Sequence, residues 1–154
     1  MSFDTPAGTR GARKPSGPVF RWMNTLMASR IRRKRDGTFM GFNALILTTV
    51  GRKSGRERTN PVGWFPGEDG SWLIVASAAG AAGNPAWYYN IAAHPDQVRI
   101  EVQGRTVAVV ADQLHGAERA EAWQQITTAA PRFAGYQQKT DRELPVIRLV
   151  PRPA

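Results

Sequence analysis

The chain has 154 residues, 42% of them hydrophobic and 21% charged, with a formal net charge of +9 and no cysteine. That is the size and composition of one globular domain with a single core. The missing thiols exclude disulfides, cysteine nucleophiles and Cys-based zinc or iron–sulfur centres, and no apolar run reaches the length of a bilayer span.

The charge is uneven. Residues 1–58 carry 13 Lys/Arg against three acids, whereas residues 59–154 carry eight against nine. A cationic end of this kind points to nucleic acid, anionic lipid or a polyanionic ligand. The N-terminus lacks the apolar core of a signal peptide, so a cytoplasmic protein is expected, with the inner membrane face as a candidate contact.

Residues 1–17 are rich in Gly, Pro, Ser, Thr and basic side chains and are expected to form a flexible basic tail ahead of a single domain at 18–154. Ser16 and Pro18 read as a helix start. Val19, Met23, Leu26, Met27 and Ile31 then recur at helical spacing, with Trp22 beside them, which predicts an amphipathic helix over 18–35 ended by Gly37. Arg21, Arg30, Arg32, Arg33, Lys34 and Arg35 supply its charge.

The middle reads as strands at Ala44–Val50, Thr59–Phe65, Ser71–Ser77, Gln97–Val102 and Arg105–Ala111, with Val146–Val150 as the last. Gly67-Glu68-Asp69-Gly70 and Gln103-Gly104 mark turns, the second a tight hairpin. Asn84 as N-cap, Pro85 at the first helical position and Pro95 as a stop predict a short helix between the third and fourth strands. A second helix runs from about Ala117 to Ala129, with Ala120, Trp123 and Ile126 on one face, and ends at Pro131. Beyond it, Phe133 and Tyr136 lie three apart, as the wall of a flat pocket or as a surface loop anchored by Phe133. Strands without βαβ alternation argue against a Rossmann sheet and for an α+β, mainly β protein: a small β-barrel with helical decoration.

The run Thr48-Thr49-Val50-Gly51-Arg52-Lys53-Ser54-Gly55-Arg56-Glu57-Arg58-Thr59-Asn60-Pro61 concentrates two glycines, four cations and the Ser54 hydroxyl at a strand end. Glycine permits close backbone approach, and Arg and Lys grip phosphate or carboxylate. A solvated basic hairpin turn is the alternative. Gly80-Ala81-Ala82-Gly83 lacks the dinucleotide pattern, and Lys53-Ser54 lacks Walker A spacing. His94 and His115 have no acid at ligand spacing, so no metal site is expected. Trp87-Tyr88-Tyr89 are consecutive on a predicted helix and cannot all enter one core, so at least one is expected to line a cavity or ligand; ordinary packing stays open for Trp87.

Taken in order, these pieces resemble the deazaflavin-dependent nitroreductase/quinone-reductase family of actinobacteria, which uses coenzyme F420. The likeness runs through the basic helix, Leu47 to Gly55, Arg58-Thr59-Asn60-Pro61, Asn84 to Asn90 and Thr140-Asp141-Arg142, covering about residues 18–151. It implies a split β-barrel, flavin-reductase-like and of Greek-key type, with an N-terminal helix and two inserted or peripheral helices.

The resemblance also implies a site. Arg52, Lys53 and Ser54 would hold the coenzyme's phosphate and acidic tail. Arg58, Thr59, Asn60, Pro61, Val62 and Gly63 would run beside the deazaflavin and its ribityl chain. Val75, Ala76, Ser77 and Ala78 would face the ring, and Ala86, Trp87, Tyr88, Tyr89 and Asn90 would complete the tail region. Phe133 and Tyr136 fall at substrate-side aromatic positions, with Tyr136 the candidate proton donor or substrate orienter and solvent its rival. Relatives often carry Lys where this chain has Ala78. Members that reduce bulky nitroaromatics carry three tyrosines where it has Ala130, Phe133 and Tyr136. The expected reaction is therefore hydride transfer from reduced F420 to a quinone, enone or similar activated alkene, with nitro reduction less favoured. A coenzyme that carries the hydride chemistry also accounts for the absence of a visible acid–base dyad. Two other classes stay open: a nucleic-acid-binding module on the basic N-terminal region, and a non-catalytic flavin or deazaflavin carrier.

Overall fold

The computed structural model describes residues 3–11, 17–33, 38–39 and 42–153. Its strands are β1 (Thr38–Phe39), β2 (Phe42–Val50), β3 (Glu57–Gly63), β4 (Phe65–Pro66), β5 (Trp72–Val75), β6 (Val98–Val102), β7 (Arg105–Gln113) and β8 (Val146–Pro151). The helices are α1 (Pro18–Arg33), α2 (Ala86–Ala93), α3 (Gly116–Ala129) and α4 (Arg132–Lys139). All strand pairs are antiparallel, in the order β1-β2-β6-β7-β8-β5-β4, with β3 on the other side of β2. The sheet is a curled half-barrel.

One short link gives the barrel its split. The chain steps from β3, at one end of the sheet, to β4, at the other end, through Trp64 alone. The two ends therefore meet near residues 63–65. Among the described residues no strand occupies the second edge of β3. Pro61 sits on this strand because a residue without an N–H is tolerated at a sheet edge.

Alternation sorts the side chains into layers. Leu45 and Leu47 of β2, Trp72 and Ile74 of β5, and Ile147 and Leu149 of β8 point inward with Val98, Ile100, Val102 and Val109. The helix α2 plugs this interior with Trp87, Tyr88 and Ile91. Leu73, Val75 and Val146 point outward, under Ala122 and Ile126 of α3 and Phe133 of α4. A third small cluster joins Ala28 and Ile31 of α1 to Ala44 and Ile46. Fully burying one such aliphatic side chain is worth about 1.5–3 kcal/mol, so all three clusters hold the helices down.

Several expectations change. The segment over 3–11 is packed against the barrel: Phe3 is buried against Tyr88, and the Gly8 N–H donates to the Ala82 carbonyl at 2.7 Å. The cap at Ser16, the stop at Gly37 and helical residues Lys34 and Arg35 lie outside the described residues. The stripe expected on α1 divides, since Ile31 faces the barrel while Val19, Trp22, Met23 and Leu26 face outward. The N-cap of α2 is Pro85, because the Asn84 amide is taken by tertiary partners. Residues 132–139, read as the wall of a flat pocket or as a surface loop, form α4, so the described residues hold four α-helices where three were expected. Pro131 is compatible with a helix start, and burial of Phe133 offsets the helix-weakening Gly135.

Candidate functional site

The turn between β2 and β3 is built to project cations. The Gly51 N–H donates to the Arg56 carbonyl at 2.7 Å, and the Gly55 N–H donates to the Gly51 carbonyl at 2.9 Å. Gly55 has φ +71°, where a side chain would be strained. The Ser54 hydroxyl accepts from the Arg56 N–H at 3.2 Å, closing the turn. Its base is pinned to α2: the Arg52 N–H donates to Asn90 Oδ1 at 3.1 Å, and Asn90 Nδ2 donates to Thr49 Oγ1 at 3.2 Å. The Arg52 guanidinium lies 4.8 Å from the centroid of the Tyr89 ring.

Charge is left over. Glu57, the acid of this turn, is bound by Arg99 of β6 through both guanidinium nitrogens, which holds its carboxyl below the usual carboxylate range. Arg52, Lys53, Arg56 and Arg58 are exposed, and none pairs with a carboxylate among the described residues. Four cations within seven residues, with no carboxylate partner among the described residues, form a positive patch of the kind that suits an anion.

The site residues expected on β3 divide between two faces. The register pairs Thr49 with Arg58, Leu47 with Asn60 and Leu45 with Val62. Directly opposed residues share a face, so Arg58, Asn60 and Val62 lie on the inner face with Leu45 and Leu47. Thr59, Pro61 and Gly63 lie on the other face, toward α1. The inner row grades from charged to polar to apolar along the split. The six side chains therefore do not form one surface.

The other expected residues are also separated. Tyr89 and Asn90 adjoin the cationic turn, and Ala86 is exposed at the start of α2. Trp87 and Tyr88 are core residues, 7% and 1% exposed. The Tyr88 hydroxyl donates to Gln113 Oε1 at 2.6 Å and accepts from the Thr5 N–H at 3.1 Å, and burial pushes its phenol up from the ordinary value. Val75 is buried under the outer helices and Ala76 in the inner cluster, while Ser77 and Ala78 are half-buried. Phe133 packs edge-on between Phe65 and Tyr136 as a core residue. Tyr136 is half-buried, and its backbone borders Gly80, where an added Cβ would lie 2.7 Å from the Tyr136 carbonyl oxygen.

Three residues organise the surroundings, two of them given no role by the sequence reading and one, Asn84, expected only as a helix cap. Arg142, 3% exposed, binds the 76–84 segment; Asn84 is fully buried; Asp141 ties down Thr9 and Arg10. The signal for two of them was present in Thr140-Asp141-Arg142, but nothing local says that this triplet reaches residues 9 and 76. Among the described residues no group of three His, Asp or Glu is arranged to hold a metal, and no helix is long and apolar enough to cross a membrane.

The family model described as F420H(2)-dependent quinone reductase matches residues 22–151. The chain belongs to this family. It is an oxidoreductase whose hydride donor is reduced coenzyme F420. It is 32% identical over 149 residues to an F420H(2)-dependent quinone reductase of Mycobacterium tuberculosis, covering 87% of this chain and 99% of that relative. The solved structure of an F420-H2 dependent reductase, FDR-A, superimposes with a TM-score of 0.62 at 36% identity, covering 69% of this chain and 92% of that one. The heme storage protein HutZ from Vibrio cholerae shares the fold alone, with a TM-score of 0.53 at 18% identity over 82% of this chain and 88% of that one.

The residues present fit such a coenzyme. A phosphodiester and a glutamate tail need cations that the protein has not already neutralised, and the 52–58 turn of this F420H2-dependent quinone reductase family member offers four. Beside them, among the described residues, no strand pairs with the second edge of β3, whose backbone groups can serve a polar ring system.

Proposed function

We propose that this protein transfers hydride from reduced F420 to a quinone, and also to enones and similar activated alkenes. The observation that carries the reading is the set of unpaired cations at the β2–β3 turn, beside the open edge of β3. In this reading Arg52, Lys53, Ser54 and Arg58, with Asn90 and Tyr89 behind them, hold the phosphate and acidic tail. The β3 edge at 58–63 runs beside the ring, and residues 75–78 lie across from it. When bound, the coenzyme supplies the hydride; the chain orients the reactants and excludes competing reactions. Tyr136, whose hydroxyl has no partner among the described residues, orients the acceptor or donates its proton. With alanine and phenylalanine at 130 and 133, nitroimidazole reduction is expected to be weak.

The test is direct. The protein should accelerate oxidation of reduced F420 by menadione, and an enone should also serve. Neutralising Arg52, Lys53 and Arg58 together to Gln should weaken F420 affinity by about two orders of magnitude, each lost charge-assisted contact costing about 1.5–3 kcal/mol less solvent screening. Unchanged affinity in a folded triple variant would sink the assignment. Binding without accelerated oxidation would identify a carrier instead.

A specific observation also favours a place for the reaction. The outward stripe of α1, with Trp22 64% exposed and no acidic residue on the helix, suits the surface of an anionic bilayer. In this reading the protein is cytoplasmic and peripheral to the membrane, where a lipid-soluble quinone is within reach.

A further inference from the structure

Arg142 is 3% exposed, and no carboxylate pairs with it among the described residues. Its guanidinium donates instead to the carbonyl oxygens of Ala76 at 3.0 Å, Ser77 at 2.8 Å and Ala81 at 2.9 Å, and to Asn84 Oδ1 at 2.8 Å. A buried cation without a counter-ion is costly, and desolvation pulls this one below its ordinary pKa. Packing alone would be served at lower cost by an apolar side chain of similar volume. The guanidinium supplies what such a residue lacks, a fork of donors aimed at one stretch of backbone.

That stretch is strained. Ala78 and Ala79 have φ +45° and +55°, a left-handed conformation that costs a non-glycine residue about 1–3 kcal/mol and persists only where the surroundings impose it. Arg142 holds the carbonyls on both sides of these alanines. Trans peptides place each N–H opposite its carbonyl, so drawing the Ala76 and Ser77 carbonyls toward Arg142 turns the following N–H groups away from it. The same side chain reaches the other half of the site. Asn84, bound through its Oδ1, donates from Nδ2 to the Tyr89 hydroxyl at 3.3 Å, and the Tyr89 ring carries the Arg52 guanidinium.

We propose that Arg142 is a positioning residue for the coenzyme: its fork fixes the backbone of residues 76–81 against the deazaflavin and, through Asn84 and Tyr89, registers that segment with the cationic turn. The proposal rests on the assignment of residues 75–78 to the ring and 52–58 to the tail. It adds a residue that touches neither reactant yet sets the distance between the two halves of the site.

The experiment compares Arg142→Lys with Val102→Ala, a core truncation at the β6–β7 hairpin end of the barrel that touches none of the Arg142 hydrogen bonds, each judged against its own melting temperature. Two quantities are read without turnover: the Kd of oxidised F420 by fluorescence, and amide hydrogen exchange across residues 76–82 in the coenzyme-free protein. Arg142→Lys keeps the charge but loses the fork. It should weaken F420 binding by about tenfold or more and speed exchange in 76–82, while Val102→Ala lowers the melting temperature and leaves both readings unchanged. Should Arg142→Lys not fold, Asn84→Ala should show the same pair of changes to a smaller degree. A folded Arg142→Lys or Asn84→Ala protein with the affinity and exchange of the unaltered protein would overturn the proposal. If the unaltered protein does not bind F420, the underlying assignment fails and this proposal falls with it, an outcome distinguishable because the variant then has nothing to lose.

Discussion

Tyr88 shows how far a residue's neighbours decide its role. Its place in the Trp87-Tyr88-Tyr89-Asn90 run assigns it to the coenzyme, yet its hydroxyl is committed to Gln113 and Thr5 inside the barrel. Tyr88→Phe should therefore destabilise the protein by about 1–3 kcal/mol in urea unfolding, because Gln113 loses a buried partner, and leave F420 affinity unchanged. Tyr89, one residue on, is the aromatic that lies beside the cationic turn, its ring centroid 4.8 Å from the Arg52 guanidinium. Asp141 is the residue with a clear pH consequence. Hydrogen bonds from the Thr9 hydroxyl and from the Thr9 and Arg10 N–H groups lower its carboxyl from 3.8 to about 2. A depressed carboxyl stabilises the fold fully above the ordinary value and loses that contribution as pH falls through the depressed one. Attachment of residues 9–10 should thus persist at neutral pH and weaken between about pH 4 and about pH 2. An NMR titration of the Thr9 and Arg10 amides should follow this midpoint, and Asp141→Asn should abolish it.

Among the elements, α1 is the one whose two faces serve different neighbours. Ala28 and Ile31 seal it to β2, and Arg32 holds Glu101 with two bonds of 2.9 Å. The outward residues Val19, Trp22, Met23 and Leu26 contribute nothing to that seal. Trp22→Ser with Leu26→Ser should leave the melting temperature within about 2 °C, as surface changes do, and should reduce co-sedimentation with anionic vesicles while neutral vesicles retain neither protein. Co-sedimentation equal to that of the unaltered protein would remove the membrane reading. Strand positions were readable because inward and outward residues alternate with period two, and β2, β6 and β7 fall close to the expected runs. The helix α4 was not readable: Gly135 and a short span hide it, and its stability comes from Phe133 entering a cluster made by β5, β8 and α3.

At the scale of the whole molecule, residues 3–11 act as a strap. Phe3 fills the inner cluster beside Tyr88, Thr5 accepts from Asn84 and Gln113, Gly8 binds Ala82, and Thr9 binds Asp141. A composition of Gly, Pro and Thr predicts disorder because it ignores partners that are distant in sequence. Phe3→Ala should cost about 3 kcal/mol in denaturant unfolding, the scale of a large-to-small core change; a loss below about 0.5 kcal/mol would mean that the strap is peripheral to the core. Local order carried the barrel strands, the position of α2 and the cationic turn, since alternation, turn chemistry and clustered charge act over a few residues; the coenzyme class came from the ordered set of motifs that the chain shares with its family. The split, the sorting of residues 58–63 onto two faces, the burial of Tyr88 and Phe133, and the hold of Arg142 on residue 76 were settled only when the chain folded. Each depends on contacts across tens of residues, and no short-range pattern encodes which distant group will arrive to satisfy a buried donor.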